Sequence, residues 1–186
     1  MKTLNLILIV LSFLTYTQSI QNSFANIKKI SDTTKVIQLN NQAFRSRLIN
    51  PDITISEANK ALKLAVKINY INGIAESYRV IGVGNSYKNS IDTAIENYLN
   101  ALSYFKRNKN LEGEAKVYNN IGNLYRDIDY SKSLENFEKS LRIATKLNIR
   151  DLIAGLKLNI GTAYQQRKNY SKALTYYQES LSMFEI

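Results

Sequence analysis

The sequence predicts an all-α fold built as a solenoid of repeated helix-turn-helix units, and three observations carry that prediction. Seven Gly and one Pro stand against 45% hydrophobic residues, too few turn residues for an all-β chain. Apolar residues recur at helical spacing, as in Tyr118, Ile121, Gly122 and Tyr125. Gly82, Gly122 and Gly161 then stand 40 and 39 residues apart in three segments that align along their length.

From the N-terminus, "MKTLNLILIVLSFLTYTQS" has one early Lys, an apolar run from Leu6 to Leu14, and small or polar residues at Thr17 and Ser19. Residues 1–19 therefore read as a secretory signal peptide, because the run falls short of the ~20 residues a membrane span needs. The pattern predicts a mature chain outside the cytoplasm, periplasmic or secreted. Residues 20–31 are polar and unpatterned and read as a short leader. Residues 32–70 read as a degenerate helix pair that caps the array. Its second helix is expected to open with Asn50 as cap and Pro51 at the first helical position, while Asn41 and Gln42 stand where later units carry Ile-Gly.

Residues 71–186 hold three full units. In each, the first helix presents the Ile-Gly column (Ile81 with Gly82, Ile121 with Gly122, Ile160 with Gly161). Gly inside a helix costs about 1 kcal/mol against Ala, so its recurrence calls for a packing reason, the close approach of a neighbouring helix. The second helix answers with Ala94, Ser133 and Ala173, followed four residues later by Tyr98, Phe137 and Tyr177, then by Ala101, Ser140 and Ser180.

This pattern resembles the tetratricopeptide repeat, whose first helix reads aromatic-x-x-Leu-Gly-x-x-Tyr and whose second reads Ala-x-x-x-aromatic with a further Ala. The period near 40 is similar to the lengthened repeats of the kinesin light chain and of bacterial sensor and regulatory arrays. There are departures. No Trp opens a unit, Lys157 stands where an aromatic is expected, Asn85 replaces an inner Tyr, and the middle unit is one residue short between its helices.

The resemblance implies a right-handed superhelix with the first helices lining a concave groove, and a protein or peptide ligand bound there. Groove positions carried over from the family are Glu76, Arg79, Val83, Ser86 and Tyr87 in the first unit. The second contributes Lys116, Asn119, Asn120, Asn123 and Arg126, and the third Leu158, Asn159, Thr162, Gln165 and Gln166. Asn presents a donor and an acceptor together and can pair with any extended backbone. Arg79, Lys116 and Arg126 could add a preference for acidic groups.

Other chemistry finds little support. There is no Cys and no His, which removes disulfides, thiolate metal sites and the commonest general base, and no cofactor or metal is expected. An enzyme is not the expected class. The net charge of +10 falls to about +9 without Lys2 and is spread along every segment, so no nucleic-acid partner is expected. "GVGN" at residues 82–85 lies inside a helical repeat with no preceding strand and is no nucleotide loop. Glu112 with Glu114, and Asp127 with Asp129, are two residues apart and do not face each other on a helix. The thirteen Tyr fall mostly in the packing columns, with Tyr87 outside them.

The chain ends on "YYQESLSMFEI", where Tyr177, Leu181 and Phe184 form an apolar face with no polar capping helix after it. That end leads to an expectation of a truncated frame, or of a free end that frays or self-associates. A truncated frame would make the chain the extracytoplasmic sensor portion of a signalling protein with a histidine kinase or DNA-binding output, joined to a membrane only through a missing C-terminal region.

Overall fold

The computed structural model describes the backbone of residues 2–183 and side chains from Thr17 to Met183. Among the described residues eight α-helices follow one another: α1 (Lys2–Arg45), α2 (Pro51–Lys67), α3 (Ile71–Tyr87), α4 (Ile91–Arg107), α5 (Leu111–Tyr125), α6 (Tyr130–Lys146), α7 (Arg150–Gln166) and α8 (Tyr170–Leu181), with a single 3-10 turn at Ser46–Leu48 between the first two. The apolar run of the expected signal peptide, and Phe184, lie outside the residues whose side chains are described.

Residues 20–31 are helical and continuous with the helix of the N-terminal pair. No Gly or Pro occurs before Pro51, so nothing in the sequence stops α1 once it has started. Phe24, Ile27 and Ile30 are exposed, and burial begins at Val36. Among the described residues no helix is long and apolar enough to cross a membrane.

The turns are short and alike. Asn69, Asn89, Lys109, Asn148 and Lys168 adopt positive φ of 52–59° just past a helix, the left-handed stop that reverses the chain. The α5–α6 connection has none: the unit that is one residue short from Gly122 to Ser133 ends α5 early, at Tyr125, and crosses to α6 over residues 126–129 without that stop. As expected, the Asn50 side chain accepts from the amides of Asp52 and Ile53, with Pro51 opening α2.

Odd helices touch one another along the series α1, α3, α5, α7, whereas even helices touch only odd ones. The even layer is therefore splayed and the odd layer compressed, which places the odd helices on the inside of the curve. Between the layers, each repeat Gly is the seat of an aromatic ring. A Cβ on Gly82 would lie 2.6 Å from Tyr98, one on Gly122 2.5 Å from Phe137, and one on Gly161 2.6 Å from Tyr177. The sequence places the ring beside the small residues; in the structure the ring itself covers the glycine. The small residues do a second job, because Ser133 Oγ donates to Gly122 O at 2.8 Å, Ser140 Oγ to Ala115 O at 2.7 Å and Ser180 Oγ to Ala154 O at 2.8 Å. Serine in an alanine column thereby stays satisfied although buried. The departures are met in the same way: Asn85 Nδ2 donates to Ile81 O, and Lys157 pairs with Glu179 at 2.7 Å.

Tyr98 is 1% exposed, and burial pushes its phenol up to about 12, opposed by its hydrogen bond with Ser86 Oγ. Unfolded, it would ionise near pH 10. The neutral ring's contribution is therefore complete below pH 10 and is lost between about pH 10 and about 12, at about 1.4 kcal/mol per pH unit. Urea midpoints measured from pH 9 to 11.5 should fall, and should fall less steeply in Tyr98→Phe.

Candidate functional site

Among the described residues, two openings along the compressed inner layer gather most of the expected groove residues. The larger, about 600 Å³, lies between the C-terminal halves of α3 and α5 and the end of α1 with the turn that follows it. The smaller, about 200 Å³, lies between α1 and the N-terminal halves of α3 and α5.

Val83, Ser86, Tyr87, Asn119, Asn120, Asn123, Arg126 and Asn159 line the larger opening, and Glu76 and Lys116 line the smaller. Leu158, Thr162, Gln165 and Gln166 on α7 line neither. Leu158 is exposed, Gln165 accepts from the Tyr177 hydroxyl at 2.6 Å, Thr162 donates to Leu158 O, and Gln166 donates to Asp127 at 2.9 Å.

Arg79 differs from its expected role. It is 6% exposed, and its Nε and Nη2 donate to the two carboxylate oxygens of Glu76 at 2.9 and 2.6 Å. Its guanidinium also stands 4.9 Å from the centre of the Phe44 ring. Burial works to lower its pKa, but the charge and hydrogen bonds of Glu76 more than offset this and hold it raised. Its charge is met inside the protein, so it is a structural cation and not a free donor for a ligand.

Sequence reasoning also missed residues. Phe44 and Arg47 line the larger opening, and Arg47 stacks 4.0 Å from the Phe44 ring centre while donating to Phe44 O at 2.8 Å. The signal was present, because Arg47 stands one 40-residue period before Tyr87. Asn40, in the smaller opening, is 2% exposed, a burial that no period in the sequence announces.

The amides are not equally free. Asn119 Oδ1 accepts from Asn159 Nδ2 at 2.9 Å, one period apart, which ties α5 to α7. By contrast Asn120 Nδ2 and Arg126 Nε are buried and have no hydrogen-bond partner. Buried donors left unmet cost free energy, so a site lined by two of them favours an occupant that accepts. Carboxylate and carbonyl oxygens do so.

A tetratricopeptide repeat model matches residues 153–186, the α7–α8 unit. The chain is an α-solenoid of tetratricopeptide-repeat type. Over 64 residues, 34% of this chain, it is 42% identical to response regulator aspartate phosphatase I of Bacillus subtilis (strain 168), and that match spans 16% of the relative. Among solved structures, the apo form of RapI superposes with a TM-score of 0.67 at 17% identity, covering 83% of this chain and 56% of that one. BtubC from P. vanneervenii gives 0.61 at 20% identity, over 72% of this chain and 56% of its own. MamA gives 0.54 at 22%, over 81% and 78%. At these identities the structures share the fold alone. This tetratricopeptide array spans about half the length of RapI and BtubC and a smaller part of the curated relative.

Proposed function

We propose that the protein is a scaffold that holds an extended segment of a peptide or protein partner in its concave groove. The observation that carries this reading is the larger opening, where unmet donors on Asn120 and Arg126 stand among Asn119, Asn123 and Asn159. An extended backbone supplies carbonyl acceptors at regular spacing, and amide side chains meet both its donors and its acceptors whatever its sequence. The net charge of +10 favours an acidic partner. The test uses a randomised hexapeptide pool retained on the full chain. The triple variant Asn119→Ala, Asn123→Ala, Arg126→Ala is expected to lose at least tenfold in retention with its helical circular dichroism unchanged. Unchanged retention would remove the site from these residues.

The N-terminal pattern of residues 1–19 supports export to the periplasm or beyond, and N-terminal sequencing of the mature protein tests it. Self-association is supported at α8. Leu134 and Leu141 pack against the core of the α6–α7 junction, whereas Leu174 and Leu181, one period on, are 57% and 59% exposed. A role in signal transduction is a second reading, supported by the match to a response regulator aspartate phosphatase and by the greater length of that relative. In that reading the array is the sensor part of a longer regulator, and sequencing the gene past the codon for Ile186 decides it.

A further inference from the structure

The two openings of the groove differ in what they leave unmet. In the smaller one, Asn40 Nδ2 donates to Ser77 Oγ at 3.0 Å, and Ser77 in turn donates to Gly73 O at 2.8 Å. The serine proton is thus committed to the carbonyl, which orients the Asn40 amide and leaves its Oδ1 buried with no donor. Glu76 and Glu112 share that opening. Each carboxylate already holds one cation, Glu76 with Arg79 at 2.6 Å and Glu112 with Lys116 at 2.5 Å, and each keeps lone pairs to spare. In the larger opening the unmet atoms are the reverse, the donors Asn120 Nδ2 and Arg126 Nε, with Arg126 in no ion pair among the described residues.

We propose that the groove reads the polarity of its segment, taking a protonated amino group in the smaller opening and a carboxylate in the larger. This rests on the peptide reading above. An ammonium group offers three donors, enough to meet Asn40 Oδ1 and both carboxylates, where a neutral amide does not suffice. A carboxylate meets the Arg126 guanidinium with a charge-assisted hydrogen bond at Nε. Glu112 lies in the first turn of α5 and Arg126 caps its C-terminal end, and the rise of 1.5 Å per residue puts them about 21 Å apart along the axis. An extended chain at about 3.3 Å per residue spans that gap with about six residues. The segment then runs in the direction of the odd helices. Their dipoles favour the opposite polarity, but that influence ends within the first or last turn and is countered at the α5 start by Glu112 and Glu114.

The experiment retains randomised hexapeptides on the full chain in four forms: both ends free, N-acetylated, C-amidated, and blocked at both ends. The free pool is expected to be retained at least tenfold better than the N-acetylated one. Glu112→Gln, an exposed position that leaves the fold intact, is expected to narrow that difference, as is Asn40→Leu where it folds. Amidation is expected either to weaken retention or to leave only peptides enriched in Asp and Glu near the C-terminus. The first outcome assigns a terminal carboxylate and the second a side-chain carboxylate. Arg126→Gln should erase whichever preference is found. Equal retention of all four pools, without acidic enrichment, overturns the polarity and leaves the groove reading standing. No retention of any pool overturns both.

Discussion

Replacing Phe137 by alanine is expected to cost about 3–5 kcal/mol, and adding Gly122→Ala to that variant is expected to cost less than Gly122→Ala costs alone. Phe137 is fully buried at the centre of the α5–α6 unit, so its removal forfeits the ring's transfer free energy and leaves a cavity. The Gly122 position explains the second half. A Cβ there would stand 2.5 Å from Phe137 Cδ1, closer than side chains approach one another, so Gly122→Ala forces ring or helix to move. Overpacking of this kind costs about 1–3 kcal/mol, against a gain of up to about 1 kcal/mol in helix propensity. With the ring gone, the new methyl enters vacated space and the propensity gain remains. Urea unfolding of the two single variants and the double variant measures the coupling, which should be at least about 1 kcal/mol. Additive costs would mean the glycine is retained for some reason other than the ring. Gly155→Ala is the control, since no atom lies within 4 Å of the added Cβ, and it should stabilise by up to about 1 kcal/mol.

Glu76→Ala is expected to destabilise by about 3 kcal/mol, near the low end of the range for breaking a buried ion pair. Arg79 is the reason. Its guanidinium is buried against Phe44, and Glu76 is its one carboxylate partner, so removing the carboxylate strands a charge away from water. The Glu76 side chain is 30% exposed, which screens the pair and keeps the cost below that of a fully enclosed one. Arg79→Met should cost less than Glu76→Ala, because it removes the charge and keeps an apolar stem over Phe44. Thermal unfolding of the two variants side by side checks the order. The reverse order would mean that Arg79 contributes by packing rather than by its ion pair.

Much of the fold was legible because it repeats. The Ile-Gly columns, the aromatic four residues after each small residue, and the Asn50 to Pro51 start of α2 follow from local rules of helix faces and caps, and each unit confirms the others. Less of the groove was legible. Arg79 and Glu76 are three residues apart, so their pairing could be read from spacing, but only the Phe44 ring arriving from α1 buries the arginine and takes it out of the ligand surface. On α7 only Asn159 reaches an opening; Leu158, Thr162, Gln165 and Gln166 line neither, because nothing in the described residues stands beyond α7 as α5 stands beyond α3 to close one.

From residue 32 onward the sequence by itself determined the helices, their pairing and the face each one buries, because these depend on side chains a turn or a repeat apart in the same chain; the helical course of residues 20–31, read as a leader, it did not. The tertiary structure alone decided which polar atoms are left unmet. Asn40 meets Ser77, thirty-seven residues on, whereas Asn119 meets Asn159 at a full period of forty, so neighbouring helices are not shifted equally along the array. That unequal shift strands Asn40 Oδ1 at one end of the groove and Asn120 Nδ2 and Arg126 Nε at the other, and no spacing within a single repeat encodes it.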